Sequence, residues 1–99
     1  MKRIMVRYTV KPDQAEANER HIKAVFAQLA RDQPAGLRYA SFKLADGVSF
    51  VHIASIETAD GVNPLLALDT FKQFTGTIKD RIVEPPVTSE LEEVGSYRL

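Results

Sequence analysis

The chain has 99 residues, the size of one domain, and its 13 lysine and arginine side chains balance 13 aspartate and glutamate side chains. A net charge of zero argues against a protein that binds a nucleic-acid backbone, because such proteins carry a marked basic excess. Cysteine is absent, which excludes disulfides, thiolate nucleophiles and cysteine-ligated zinc. No apolar run is long enough to span a membrane, and Arg7 interrupts the apolar stretch that a signal peptide needs. We therefore expect a single domain over residues 1–99, located in the cytoplasm, with neither nucleic acid nor membrane as a partner.

The first part of the chain predicts a strand, a helix and a second strand. Residues 4–10 alternate between apolar side chains and others, the period-two pattern of a strand, and Pro12 ends it. Asp13 and, three residues later, Glu16 predict a capping pair at the start of a helix. This helix ends at Pro34-Ala35-Gly36, and residues 37–44 predict the second strand. The apolar stripe of the helix consists of Ile22, Val25, Phe26 and Leu29.

The second part of the chain predicts a hairpin, a helix and a last strand. Asp46-Gly47 predicts a tight turn, because these residue types tolerate positive φ, and residues 48–56 then form the most apolar strand. Asn63 and Pro64 predict the cap and first residue of a second helix, with a restart at Asp69 as an alternative. Residues 87–97 predict the last strand. The second helix carries an apolar stripe of Phe71, Phe74, Ile78 and Ile82, and Pro85-Pro86 ends it.

The order β-α-β-β-α-β predicts an α+β, ferredoxin-like fold. Right-handed crossovers bring its two β-α-β halves into a four-stranded antiparallel sheet with both helices on one face. The first and third strands are then central, which agrees with their apolar character. The second and fourth strands are edges, and they carry the charged residues Arg38, Lys43, Glu90 and Glu92.

The third strand is apolar on both of its sides, with Phe50, Ala54 and Ile56 on one and Val51 and Ile53 on the other. Two helices cover only one face of a sheet, so the other face would expose an apolar patch of the kind that marks an interface. We therefore expect a homodimer that packs through this sheet face. The alternative is that a long loop or residues 95–99 shield the patch.

Four segments of the chain carry a family resemblance that spans nearly the whole sequence. They are Val10-Lys11-Pro12 at the end of the first strand, Gly36-Leu37-Arg38-Tyr39 at the start of the second, residues 50–56 in the third, and Asp69-Thr70-Phe71-Lys72-Gln73-Phe74 in the second helix. Together they resemble the dimeric α+β barrel superfamily and, within it, the antibiotic biosynthesis monooxygenase-like domains. The resemblance implies a ferredoxin-like dimer, and a cofactor-independent monooxygenase or related small oxidoreductase.

The chain also departs from patterns of that superfamily. Members often carry Glu-x-Trp at the end of the third strand, where this chain has Ala54 and Ile56, and it has no tryptophan. Haem-degrading relatives hold iron with a histidine on the second helix, near the position of Thr75 here, so we expect no haem. Glycine-rich phosphate loops and paired-histidine motifs are missing as well. We therefore expect no cofactor and no bound metal.

His52 is the best candidate for a catalytic residue. It lies in the apolar third strand, on the side of Phe50 and Ala54, where an imidazole could act as an acid or base near neutral pH. The alternative is a buried histidine that bonds a backbone carbonyl or a neighbouring tyrosine. Tyr8 and Tyr39 are on strands that could line a cavity, where their hydroxyls would orient a phenolic or quinone ligand; the alternative for each is an ordinary core tyrosine.

Four further residues are candidates for the wall of the same cavity. Asn18 falls within the apolar stripe of the first helix, where a buried amide needs a partner. Arg81 flanks the stripe of the second helix, where it could meet an anionic ligand or only cover apolar surface with its stem. Phe71 and Phe74 supply apolar surface. Glu93, by contrast, is expected to pair with a lysine or arginine across an interface.

Two functions remain open from the sequence. The first is a cofactor-independent oxygenase that acts on a small aromatic or apolar compound in a cavity between sheet and helices. Such a substrate, once deprotonated, is itself the reductant for oxygen, so the protein supplies a dry pocket and a base. The alternative is a non-catalytic dimer that binds a small ligand or serves as an interaction module and has lost the catalytic residues of the family.

Overall fold

The computed structural model describes all 99 residues and contains one four-stranded antiparallel sheet. The strands lie in the order β2-β3-β1-β4, so the first and third strands are central. The predicted ferredoxin-like α+β fold is therefore confirmed. No helix is long and apolar enough to cross a bilayer. The strands are β1 (Lys2–Thr9), β2 (Leu37–Lys43), β3 (Ser49–Ile56) and β4 (Val87–Leu91).

The strand register sorts the side chains onto two faces of the sheet. Val6 lies opposite His52 on one side and opposite Thr88 on the other, so these three side chains share a face. Both helices pack on this face, which we call the helix face. The other, which we call the open face, has no element of the chain upon it. Its apolar side chains are Met5, Ala40, Phe42, Val51, Ile53, Val87 and Leu91.

Two helices cover the helix face: α1 (Ala15–Asp32) and α2 (Asp69–Thr77). Short 3₁₀ turns precede α1, precede α2 and follow α2, at Pro12–Gln14, Pro64–Ala67 and Ile78–Asp80. The Gln28 carboxamide oxygen of α1 accepts hydrogen bonds from the backbone and hydroxyl of Thr70, which joins the two helices. The buried apolar core lies between helices and sheet, and consists of Tyr8, Val10, Val25, Phe50, Ala54, Leu65, Leu68 and Phe74.

Two turns depend on glycine. Gly47 adopts φ +76° in the β2–β3 hairpin, as the Asp46-Gly47 pair predicts. Gly36 adopts φ +77° at the start of β2, and a side chain there would bring its Cβ within 2.7 Å of Thr58. The helix α1 ends before it, where Gln33 takes the left-handed conformation and donates its backbone N–H to the Leu29 carbonyl.

Three local expectations are wrong. The last strand ends at Leu91 rather than at residue 97, because Leu91 pairs with Arg3 and β1 starts only one residue earlier. Asp13 and Glu16 form no side-chain cap, since the chain enters α1 through a 3₁₀ turn that begins at Pro12. The second helix does restart at Asp69, as the alternative expectation has it, but α2 ends at Thr77 instead of continuing to Pro85, and a 3₁₀ turn follows it.

Candidate functional site

A cavity of about 230 Å³ lies between the helix face of the sheet and α2. Its floor comes from the three strands β1, β3 and β2, and its apolar wall from α2. Thr75, Pro86 and Thr88 are exposed and form the rim. The lining is mainly apolar, and it consists of Ile4, Val6, Tyr8, Tyr39, His52, Ala54, Phe71, Phe74, Thr75, Ile78, Pro86 and Thr88.

Three nearly parallel rings form the polar part of the floor. The Tyr8 ring lies 5.3 Å from that of His52, and the Tyr39 ring lies 6.0 Å from it on the other side. Each tyrosine is a diagonal neighbour of His52 on an adjacent strand, within reach of a long side chain. The edge of the His52 ring meets the Phe74 ring of α2 at 5.5 Å. The site thus joins three strands and one helix.

One side of His52 is tied to a chain of hydrogen bonds that starts at Arg81. Arg81 Nε donates to Asn18 Oδ1 at 3.1 Å, so the Asn18 amide nitrogen is left to donate to the Tyr8 hydroxyl oxygen at 2.8 Å. The Tyr8 hydroxyl lies 2.7 Å from His52 Nε2, and because its oxygen already accepts from Asn18 we assign its own proton to this contact. The donor inventory therefore makes Nε2 an acceptor.

The other ring nitrogen of His52 faces the edge strand β2. With Nε2 accepting, Nδ1 carries the ring proton and donates it to Ser41 Oγ at 2.6 Å. The Tyr39 hydroxyl lies 3.2 Å from the same nitrogen. His52 is 5% exposed, and both of its nitrogens are satisfied. It is therefore held as a neutral imidazole in one tautomer.

Burial sets the protonation of these groups. It lowers the pKa of His52 to about 4, because a buried imidazolium is poorly solvated. Burial also raises the pKa of Tyr39 to about 12, against the opposing effect of the Ser41 hydroxyl. The pKa of Tyr8 is raised by burial as well, and the Asn18 hydrogen bond opposes the shift. At neutral pH the three rings are uncharged.

Arg81 is a buried cation without a carboxylate partner. It is 4% exposed, and none of the four ion pairs of the chain includes it. Its guanidinium donates instead to the neutral oxygens of Asn18, Thr77 and the Phe74 carbonyl, and lies 5.5 Å above the Phe74 ring. Burial lowers the pKa of Arg81 from its usual value, although a guanidinium stays protonated. A buried positive charge with no carboxylate in contact favours an anion nearby.

The structure brings the seven candidate residues into one region, in two layers. Those that line the cavity are Tyr8, Tyr39, His52, Phe71 and Phe74. Asn18 and Arg81 do not line the cavity and are connected to it only by hydrogen bonds through Tyr8. Asn18 is fully buried and bonds Tyr8 on one side and Arg81 on the other. No three histidine, cysteine or carboxylate side chains come together as a metal site requires.

Sequence reasoning missed Ser41 and Thr88, which also belong to this region. Ser41 bonds His52, and Thr88 lies on the cavity rim. The strand alternation contained the signal for Ser41, because residues 39 and 41 share a face and β2 lies beside β3. Glu93 does form an ion pair, but its partner is Arg3 of the same chain at 2.9 Å. The expectation of a partner across an interface is not needed to explain this residue.

Comparison with known proteins finds similarity in structure alone. No protein-family model matches the sequence, and no curated protein matches it. A solved antibiotic biosynthesis monooxygenase superposes with a TM-score of 0.77 at 16% identity, covering 96% of this chain and 100% of the other. A Nitrosomonas europaea protein assigned provisionally to the same type gives 0.76 at 20% identity, with 94% and 89% covered.

One further solved structure adds a described chemistry. A variant of SnoaB, a cofactor-independent oxygenase from Streptomyces nogalater, superposes with a TM-score of 0.63 at 19% identity, covering 99% of this chain and 97% of the other. These identities establish a common fold over nearly the full length. The chain therefore has the fold of the antibiotic biosynthesis monooxygenase-type proteins, as the four sequence segments indicated.

Proposed function

We propose that this protein binds a small hydroxylated aromatic compound in the central cavity and oxidises it with molecular oxygen without a cofactor. The observation that carries the proposal is the line of groups from the buried Arg81 through Asn18 and Tyr8 into an otherwise apolar cavity. An ionised phenol or hydroquinone is the kind of ligand that such a line stabilises. Its anion is also the species that can reduce oxygen directly.

The size and lining of the cavity support a one- or two-ring ligand. An apolar cavity of about 150 Å³ accommodates benzene, and this one is larger, at about 230 Å³. Phe71 and Phe74 offer aromatic surface on the helix side, against which a ring can stack. The hydroxyls of Tyr8 and Tyr39 offer the only phenolic hydrogen-bonding groups of the floor, so they would orient a ligand oxygen.

Electrostatics support the ionised form of the ligand. The Arg81 charge polarises the Asn18 amide, and the polarised amide donates a stronger hydrogen bond to Tyr8. The electrostatic effect of Arg81 therefore reaches the Tyr8 hydroxyl in the cavity. When a ligand hydroxyl passes its proton to Tyr8, that proton points back at the ligand, so the negative ligand oxygen meets a donor at the end of this line. In a dry cavity such preorganised dipoles stabilise charge more strongly than they do in water.

A specific observation favours the second candidate, ligand binding without turnover. Both His52 nitrogens already have partners, and a pKa of about 4 makes its imidazole a weak base. Oxidation then requires a ligand acidic enough to lose its proton with modest help. The two candidates predict the same binding and differ in oxygen consumption.

The test measures binding and oxygen uptake with a panel of one- and two-ring phenols and hydroquinones, in buffer that contains a metal chelator. We expect saturable binding and oxygen uptake that depends on the protein. Arg81→Met keeps an apolar stem and should weaken binding by about tenfold, as expected for loss of a charge-assisted contact. Lys72→Met, on the exposed side of α2, is the matched control and should bind normally.

Three results separate the possibilities. Binding without oxygen uptake supports the second candidate. Absence of binding by every compound at up to about 1 mM, the upper end of ordinary substrate affinities, contradicts both. Equal binding by the Arg81→Met and Lys72→Met variants shows that the buried charge has no part in recognition.

We also propose that two copies of the chain pair through the open face. This face carries exposed apolar side chains, of which Phe42 is 52% and Val87 is 64% exposed. Arg7 lies between Val51 and Val87, and Arg3 and Arg38 flank Ser55, where they pair with Glu93 and Glu57. A second copy presents the same apolar centre and mixed-charge edge, which suits a two-fold symmetric contact.

A further inference from the structure

His52 lies between two openings on opposite sides of it. Its Nε2 side belongs to the central cavity, where Tyr8 contacts it. Its Nδ1 side contacts Ser41, which lines a second pocket on the outside of the molecule between α1 and β2. We call this pocket the outer groove. Its lining consists of Glu19, Ile22, Lys23, Ser41, Phe42, Lys43 and Phe50.

We propose that Tyr8, His52 and Ser41 form a proton relay that connects the central cavity with the outer groove. The two contacts of His52 are short, 2.7 Å to the Tyr8 hydroxyl and 2.6 Å to Ser41 Oγ, and they involve different ring nitrogens. Tyr8 and His52 each accept one hydrogen bond and donate another, and the Ser41 hydroxyl, which accepts from His52, has a proton of its own to pass on. The relay adds a proton pathway to the proposed oxidation, and it rests on that proposal only because the oxidised ligand would supply the proton.

The outer groove is suited to exchange with solvent. Lys23, Phe42 and Lys43 are exposed, and the groove is charged on its rim, where the Lys43 ammonium pairs with the Glu19 carboxylate. This pairing lowers the pKa of Glu19, which keeps the carboxylate ionised and able to attract water next to Ser41. Apolar aromatic walls, by contrast, surround the Tyr8 end in the cavity.

The relay moves one proton from the ligand to the outer groove. The ligand hydroxyl gives its proton to the Tyr8 oxygen while Tyr8 gives its own to His52 Nε2. The Nδ1 proton passes to Ser41 Oγ, and the Ser41 proton passes to water in the outer groove, which leaves an anionic ligand in the cavity. Molecular oxygen takes electrons from this anion. Oxygen adds at a ring carbon that carries a hydrogen, and the returned proton makes this adduct a hydroperoxide. Loss of water then breaks the O–O bond and that C–H bond, so one oxygen atom stays in the product as a quinone oxygen and the other leaves as water. The return of the proton through the relay restores the starting tautomer.

His52 is too weak a base to hold a second proton, but a relay only requires it to pass a proton from one ring nitrogen to the other. Because burial lowers its pKa to about 4, an imidazolium would not accumulate at neutral pH. A proton that enters at Nε2 as another leaves from Nδ1 never requires a full positive charge on the ring. The same buried imidazole that is a poor base can therefore still conduct a proton.

The test needs no ligand, because the relay also sets how fast the His52 ring proton exchanges with water. Nitrogen-15 NMR identifies which ring nitrogen carries the proton and measures its exchange rate. Ser41→Val and Ser41→Thr have nearly the same shape, and only the threonine keeps a hydroxyl. We expect a protonated Nδ1 in the wild type, exchange slowed by about tenfold or more in Ser41→Val, and recovery in Ser41→Thr.

Two control variants test whether removal of any buried serine, or loss of the Tyr39 contact, changes the exchange rate of the His52 ring proton. Ser49→Ala removes a buried serine that bonds Thr9 and Asp46 and has no hydrogen bond to the relay, and its exchange rate should match the wild type. Tyr39→Phe removes the longer contact to Nδ1 and should leave exchange nearly unchanged. A proton on Nε2, unchanged exchange in Ser41→Val, or equal slowing in Tyr39→Phe would overturn the relay.

Turnover gives a second and separate readout. With a phenolic substrate that supports oxygen uptake, Ser41→Val should lower kcat by about 100-fold with little change in KM, while Ser41→Thr restores it. A merely structural role of Ser41 would not produce this rescue by the hydroxyl. If exchange follows the relay but no compound is oxidised, the proposed oxidation fails and the relay stands.

Discussion

His52 shows how the same surroundings decide both the charge and the stability contribution of one residue. Its two nitrogens bond Tyr8 and Ser41, and its ring packs between two tyrosine rings and Phe74. Loss of the imidazole would leave the buried Tyr8 hydroxyl and the half-buried Ser41 hydroxyl without this partner. Such unsatisfied groups cost free energy, because they exchanged water for a partner that is no longer present.

We predict that His52→Ala lowers the free energy of unfolding by roughly 1–3 kcal/mol, the usual cost of an unsatisfied buried polar group. Urea denaturation measures the change, and His21→Ala, at a half-buried histidine on α1, is the control. The control should lose less. A variant with wild-type stability that binds ligand but no longer oxidises it would show that His52 is a catalytic base rather than a structural residue.

Acid should remove the contribution of His52 in a defined range. Its folded pKa of about 4 lies below the unfolded value, so only the unfolded state takes up a proton between about pH 6.5 and pH 4. The contribution is complete above this range and decreases as the pH falls through it. Linkage removes about 3 kcal/mol of stability from the wild type but not from His52→Ala, so we expect the variant to become at least as stable as the wild type below about pH 4. A difference independent of pH would contradict a depressed pKa.

At the scale of elements, α2 is short for physical reasons that lie in its own residues. Gly76 lies near its end, and Thr75 and Thr77 turn their hydroxyls back to carbonyls of the preceding turn. Such bonds compete with the regular ladder, and 3₁₀ geometry follows from Ile78. The apolar spacing that predicted a helix to Ile82 reflects the position of side chains against the core, not unbroken α-helix.

Gly76→Ala should stabilise the protein by up to about 1 kcal/mol, because alanine restricts the unfolded chain and is the better helix former. The site has room, since no atom lies within 4 Å of the Cβ that would be added. Gly36→Ala is the contrasting variant and should destabilise the protein, because of its φ of +77° and the close Thr58 side chain. Thermal unfolding compares the two. Destabilisation by both variants would contradict this account of α2.

The sequence predicted most of the sheet and less of the site. Alternation in β1 and β3 indicated both strands and their central position, because side chains alternate between the two faces of a strand. It also indicated which side of β3 holds His52. The partners of His52 depend on the register between strands, which no local pattern contains, so Ser41 was missed. The end of β4 depends on where β1 starts, which is a property of the pair.

At the scale of the whole molecule, the open face is the surface through which we propose that two copies pair. In the single chain it is an apolar surface without cover, and exposed apolar side chains also occur in the residues after β4, at Val94, Tyr97 and Leu99. A surface patch of this kind is unusual for a monomer. Association through it would cover the face of the sheet that the helices leave bare.

Ile53→Asp should dissociate the dimer without unfolding the chain, because Ile53 points to the open face beside Met5. Sedimentation over a wide range of concentrations measures the association. Leu66→Asp places the same charge at a position that is 58% exposed on another surface, and it should leave association unchanged. A wild-type chain that stays monomeric at about 50 µM, well above the dissociation constant of a stable interface, would refute the dimer.

The short contacts around His52 also define how the strands are aligned. A slip of β3 by one residue against β1 would turn His52 out to the open face and place Val51 or Ile53 against Tyr8. Because the apolar residues on the two sides of β3 are similar, hydrophobic burial distinguishes the two alignments weakly. The slip would leave the hydroxyl of Tyr8 and the amide of Asn18 without the acceptor at the end of their line. The hydrogen bonds of His52 thereby select the observed register of β1 and β3 over the register slipped by one residue, although the two registers would bury similar apolar side chains.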